Sequence, residues 1–235
     1  MLEDLAYAMG VVVVEGRLDG ADARLVRRGK RGLIRVRQDI ADLGRKRFAT
    51  AHELGHWVLH ERVSQVLACT SEDMVRQYKA SPPEMEANYF ASALLMPEKL
   101  IRPQIRGKQP TFDLIKQLAT SFNTSLTATA VRFVELSTEY CAVVISEAGR
   151  IRWGRASEAL EDAFRLEWGA PVAPESVAAA AFRGDDTSDG PQKVDISTWL
   201  RANEAGDTEL EADTICEDAR LFRQYGQVLS LLWIP

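Results

Sequence analysis

Apolar residues in this chain recur three and four positions apart in some stretches and alternate or run together in others, and these periods predict its elements. Leu2 to Met9 reads as a short helix ended by Gly10. Val11-Val12-Val13-Val14 is β-branched and short, which favours a strand. Ala23 to Arg28 and Gly32 to Arg37 are further strands, and in the second Leu33, Arg35 and Arg37 face one way while Ile34 and Val36 face the other. Arg28-Gly29-Lys30-Arg31-Gly32 is the turn between them. Phe48, Ala51, Leu54, Val58 and Leu59 then mark one amphipathic helix. Residues 61–81 are polar and weakly patterned. Pro82-Pro83 fixes an extended approach to a helix from about Glu84 to Met96, with Ala87, Phe90, Ala91, Leu94 and Leu95 as its stripe and Pro97 as its stop. Phe112, Ile115, Leu118 and Ala119 share a face of a helix over Thr111–Thr120, and Ser125 can cap another through about Glu135.

The character changes at Glu139. Tyr140 to Ser146 and Arg150 to Trp153 read as strands joined by the Glu147-Ala148-Gly149 turn. A short helix over Glu175–Phe182 follows the Pro171–Pro174 loop. Strands at Lys193–Leu200, Glu209–Glu217 and Gln227–Ile234 complete an antiparallel sheet. Trp153, Trp168, Trp199 and Trp233 read as core and edge packing. The expected fold class is α+β: a mainly helical domain with a small N-terminal sheet over residues 1–110, a helix-turn-helix-like helical linker over 111–138, and an α+β domain over 139–235.

Charge sharpens that division. The 235 residues carry a net charge of -5. Residues 1–138 hold 20 basic against 16 acidic side chains, net +4, whereas residues 139–235 hold 9 against 18, net -9. The acidic balance disfavours direct nucleic-acid binding, and the second helix of the linker offers few basic residues to a groove. The basic cluster from Arg24 to Arg37 reads as a solvated sheet face. Cys69, Cys141 and Cys216 form no disulfide pattern and read as small buried hydrophobes. No apolar run reaches the roughly 20 residues of a membrane span, and Met1-Leu2-Glu3-Asp4 lacks the basic start of a signal peptide. The expected location is cytoplasmic, with no membrane partner.

The candidate chemistry lies in Ala51-His52-Glu53-Leu54-Gly55-His56-Trp57-Val58-Leu59-His60, which contains His-Glu-x-x-His. On a helix His52 and His56 point the same way one turn apart, so two imidazole nitrogens can reach one Zn2+ at about 2.0–2.1 Å. Glu53 beside them can act as the catalytic base toward an activated water. A catalytic zinc takes three protein ligands and one open position. Glu86, adjacent on the wheel to Ala87 and Phe90, is the expected third ligand, while Glu84 reads as a dipole partner in the first helical turn. A three-histidine site from one straight helix is geometrically awkward, since His60 lies about 12 Å from His52 along the axis, and His60 reads as structural or as a support behind the ligands. Tyr89, Tyr78 and Arg47 are candidates to stabilise the oxyanion.

Arg47-Phe48-x-x-Ala51-His52-Glu53-Leu54-Gly55-His56, then Leu59-His60, then Glu86-Ala87-x-x-Phe90-Ala91-x-x-Leu94-Leu95-Met96-Pro97, resembles the ImmA/IrrE family of bacterial metallopeptidases. The resemblance is close over about residues 1–100. The stretch from Phe122 to Phe133 and the strand pair near Ala142–Trp153 resemble the longer radiation-response members, which have a helical linker and a GAF-like C-terminal domain. It implies a gluzincin-like, zincin-type site with Zn2+, Mn2+ or another divalent metal on His52, His56 and Glu86, and Glu53 as base. It also implies a substrate, a helix-turn-helix (XRE-type) transcriptional repressor, whose cleavage derepresses stress-response or mobile-element genes. Two alternatives stand beside it: a regulator that sequesters the repressor without cutting it, and a DNA-binding regulator acting through Thr111–Glu135.

Overall fold

The computed structural model describes residues 2–60, 68–69, 81–187, 190–203 and 212–235. The chain is α+β and divides into two units: residues 1–97 with 119–128, and residues 98–118 with 129–235.

The first unit opens with α1 (Leu2–Ala8), which Gly10 ends at a positive φ of 81°. Strands β1 (Val11–Gly16), β2 (Ala23–Arg28), β3 (Arg31–Arg37) and the short β4 (Ala68–Cys69) pair in the order β1-β3-β2-β4. β1 and β3 are parallel, and β2 runs antiparallel to β3 and β4. Helix α2 (Leu43–Leu59) packs on this sheet through Phe48, Ala51 and Leu54, which meet Val11, Ala23, Ile34 and Val36 in one core with Leu2 and Ala6. Asp42 caps α2 by accepting from the Arg45 amide at 3.1 Å. Buried Asp22 ties its first turn to the sheet, accepting from Arg45 at 2.7 and 3.0 Å and pairing with Arg37 at 3.1 Å.

Helix α3 (Pro82–Leu95) lies against α2. It starts at Pro82, not after an extended Pro-Pro approach, because the first helical turn has no use for the missing N–H groups. Only Ser81 keeps the extended conformation that a residue before proline favours.

Helix α4 (Glu98–Ile105), unannounced by the sequence pattern, buries Ile101 and Ile105. Helices α5 (Phe112–Phe122) and α6 (Leu126–Leu136) follow, and Ser125 caps α6 by accepting from the Ala128 amide at 3.2 Å. The turn between them, 119–128, belongs to the first unit, and the outer parts of both helices belong to the second.

The second unit is built on an antiparallel sheet of β5 (Cys141–Glu147), β6 (Arg150–Ala156), β8 (Gln192–Asp195), β10 (Thr214–Phe222) and β11 (Gln227–Trp233), in the order β6-β5-β11-β10-β8. The strand expected over Lys193–Leu200 is broken: β8 gives way to a 3-10 turn at Ile196–Thr198, where Asp195 accepts from the Ser197 amide at 2.8 Å. The next strand, expected at Glu209–Glu217, lies at Thr214–Phe222; residues 209–211 are outside the described residues. Helix α7 (Glu158–Ala163) leads into β7 (Phe164–Leu166), which pairs with β9 (Leu200–Ala202), and α8 (Val177–Arg183) covers the sheet. Adjacent acids on β10 each hold a helix start. Glu217 accepts from the Val177 and Ala178 amides at 2.9 and 2.8 Å, and Asp218 accepts from the Phe112 amide at 3.0 Å. Trp153, Trp199 and Trp233 are buried, whereas Trp168 is 43% exposed. No helix among the described residues is long and apolar enough to cross a membrane.

Candidate metal centre

His52 and His56 stand one turn apart on the face of α2 that turns toward α3, and both are buried. Their Nε2 atoms are 3.0 Å apart. Two donors on one tetrahedral cation at about 2.0–2.1 Å would stand about 3.3–3.4 Å apart, so the pair is spaced to share an ion with little adjustment.

The carboxylate that joins them is Glu84. Its Oε2 lies 3.1 Å from His52 Nε2 and its Oε1 3.3 Å from His56 Nε2. One ligand atom from each of the three residues falls within 4.8 Å of the others. Burial opposes the Glu84 charge, but hydrogen bonds and charge from His52 and His56 outweigh it and hold the carboxyl well below the usual carboxylate range. Once the imidazoles give up their Nε2 protons, two nitrogens and one carboxylate form a donor set that suits a catalytic divalent cation with a position left open.

Glu86, the third ligand expected from the sequence, is not the carboxylate that the structure brings to His52 and His56. The buried stripe of α3 runs through Ala87, Asn88, Ala91, Ser92 and Leu95, with Phe90 only half-buried. One turn before Ala87 and Asn88 on that face is Glu84, since residues three and four apart are neighbours. Glu86 lies about 160° away around the helix at 100° per residue, and its carboxylate meets His60 Nε2 at 2.8 Å instead.

Asn88 escaped the sequence reading. Its Oδ1 accepts from His52 Nδ1 at 2.8 Å, which keeps a ring proton on Nδ1 and makes Nε2 the nitrogen that can present a lone pair to a cation. The signal available was a polar residue one turn after a first-turn acid on the buried face. Glu53 is fully buried on α2, between the two histidines in sequence.

The expected oxyanion stabilisers separate. Arg47 donates through Nε to the Asn123 carbonyl at 3.0 Å, and Tyr89 is 64% exposed on the side of α3 away from Glu84. Tyr78 lies outside the described residues.

The sequence profile of a peptidase family described as the IrrE N-terminal-like domain matches residues 6–134. No curated protein matches the chain at a significant level. Among solved structures, a Mycobacterium tuberculosis transcriptional regulator is similar over 99% of this chain and 69% of its own, with a TM-score of 0.56 and 15% identity. That likeness is one of fold.

Proposed function

The chain belongs to the IrrE N-terminal-like domain family, and we propose that it is a zinc-dependent peptidase that cuts one specific protein, a helix-turn-helix transcriptional repressor. The observation that carries this reading is the convergence of buried His52 and His56 on Glu84, on the same helix as buried Glu53.

A divalent cation held by His52, His56 and Glu84 would supply Lewis-acid activation of water and of the scissile carbonyl. The rest of the work falls to side chains. Asn88 fixes the His52 tautomer through the 2.8 Å hydrogen bond. Glu53 takes the proton of the attacking water and delivers one to the leaving nitrogen. Burial of Glu53, His52 and His56 keeps bulk water from screening the charges that develop there. Glu84 would offset one of the two charges of a divalent cation, leaving a net positive centre that can draw the oxygen of an uncharged peptide carbonyl.

A repressor as substrate is supported by the family resemblance and by the mycobacterial neighbour of similar fold, a transcriptional regulator. Cutting such a protein between its DNA-binding and dimerising parts would release its operator without any contact between this chain and DNA. The test is direct. The zinc-loaded protein is incubated with the helix-turn-helix protein encoded nearest to it. Two fragments, absent when a chelator is added, are the expected result. A repressor that stays whole while co-eluting with the zinc-loaded protein would replace cleavage with sequestration.

A further inference from the structure

Behind the ligand pair runs a second line of polar groups. His56 Nδ1 meets His60 Nδ1 at 3.0 Å, and His60 Nε2 meets Glu86 Oε2 at 2.8 Å. We propose that Glu86 and His60 are positioning residues that orient His56 and set its tautomer for the cation, a proposal that rests on the metal-dependent reading above.

The chemistry of the imidazoles dictates the direction of the chain. A neutral imidazole carries one N–H, so His56 can offer its Nε2 lone pair to a cation only when its proton sits on Nδ1. His60 Nδ1 can accept that proton's hydrogen bond only if the His60 proton sits on Nε2. A carboxylate accepts and cannot donate, so Glu86 selects the Nε2–H form of His60. One acid thereby fixes two tautomers in turn. Both rings gain a partner for each nitrogen, which a buried polar group requires.

Helix α2 ends at Leu59, and His60 takes φ -120° and ψ 65° while its amide still donates to the His56 carbonyl. Its ring centroid lies 5.1 Å from that of His56, one turn before it. Glu86, two residues beyond Glu84 on α3, then faces the outer ring while Glu84 faces the inner pair. The two histidine ligands are thus held differently, His52 by one amide and His56 by a histidine–carboxylate chain whose last member is 61% exposed.

Partners behind metal-bound histidines typically contribute about 10–100-fold in metal affinity. The experiment measures the zinc dissociation constant by chelator competition in the full chain, with circular dichroism on each variant. Glu86→Ala and His60→Ala are each expected to weaken zinc by about 10–100-fold. The double variant should be no weaker than His60→Ala alone, because Glu86 acts only through His60. Glu86→Gln keeps an acceptor for His60 and should hold zinc more tightly than Glu86→Ala. The cobalt-substituted protein should show an altered visible spectrum in the Ala variants. Since Glu86 is exposed, its variants decide the matter even if His60→Ala fails to fold. A wild type that binds no zinc overturns the metal-dependent reading itself. A wild type that binds zinc, with Glu86→Ala unchanged in affinity and spectrum, overturns only the positioning role. Losses that add in the double variant would overturn it too, by giving Glu86 a separate effect.

Discussion

Gly55 of α2 faces Ala87 of α3 so closely that a Cβ on Gly55 would stand 3.0 Å from the Ala87 Cα and 3.1 Å from its carbonyl oxygen. Gly55 immediately precedes His56, and Ala87 immediately precedes Asn88. The helix separation set at this contact is therefore the distance across which Glu84 and Asn88 reach the histidines. A glycine inside a helix costs about 1 kcal/mol relative to alanine. Here that cost accompanies a close approach at which even a Cβ would require the facing backbone to give by a few tenths of an ångström.

Gly55→Val should push the two helices apart where they carry the site. Overpacking of this kind costs about 1–3 kcal/mol, and thermal unfolding should register it. Zinc affinity should fall by more than the loss of stability would suggest, because Glu84 moves away from the pair. A Gly55→Val protein that binds zinc as tightly as the wild type would show that the spacing is not what assembles the centre.

The third ligand can be identified by elemental analysis of purified variants. Glu84→Ala should lose stoichiometric metal, as His52→Ala and His56→Ala should. Glu86→Ala should keep it at saturating zinc, with the reduced affinity argued above. Metal retained in Glu84→Ala and lost in Glu86→Ala would restore the ligand set expected from the sequence.

That difference marks where the sequence stops being legible. The His-Glu-x-x-His spacing, the α2 helix around it and the Ser125 cap are local patterns, and each was readable from a few neighbouring residues. Choosing between Glu84 and Glu86 required the direction in which α3 faces α2. The apolar stripe blurred it, because Phe90 and Leu94 suggest a buried face rotated from the one centred on Ala87, Asn88 and Ala91. Asn88 is fully buried for the sake of His52, and a polar residue lowers any apolar signal. Helix α4 was hidden by Pro103, which sits inside it and argues locally against a helix. The break after β8 depends on the Asp195 side chain meeting a backbone amide, which alternation cannot reveal.

Cys141 offers a probe of the second unit. Its side chain is fully buried at the start of β5. Burial pushes the thiol up to about 11, against hydrogen bonds from Ser137 and Ser157 that favour the thiolate. The thiolate is the reactive form, so iodoacetamide at about pH 8 should leave Cys141 unlabelled in the folded protein and label it after denaturation. The sign of the pH effect follows from the raised value. The contribution to stability is whole below the ordinary thiol range and is lost as pH rises through about 11. Mass spectrometry of the Cys141 peptide reads the labelling. Modification of the native protein at the rate of an exposed thiol would contradict the burial argument.

Glu53→Gln separates chemistry from binding. The amide has nearly the shape of the carboxylate, so α2 should fold as before and His52, His56 and Glu84 should keep their metal. It cannot accept the proton of the attacking water at neutral pH. A general base contributes about 10²–10⁴-fold, so cleavage should fall by that factor while zinc content stays stoichiometric. Substrate binding should survive, since the reacting centre loses a proton acceptor and little volume. The variant should therefore co-purify with an uncut helix-turn-helix protein, where the wild type yields the same partner as two fragments. Expression of the partner's target genes gives the cellular readout, and Glu53→Gln should leave them repressed. If the variant relieves repression as fully as the wild type, peptide cleavage is not how this chain acts. The buried base beside the histidines would then serve the fold of α2, and holding the repressor would be the function.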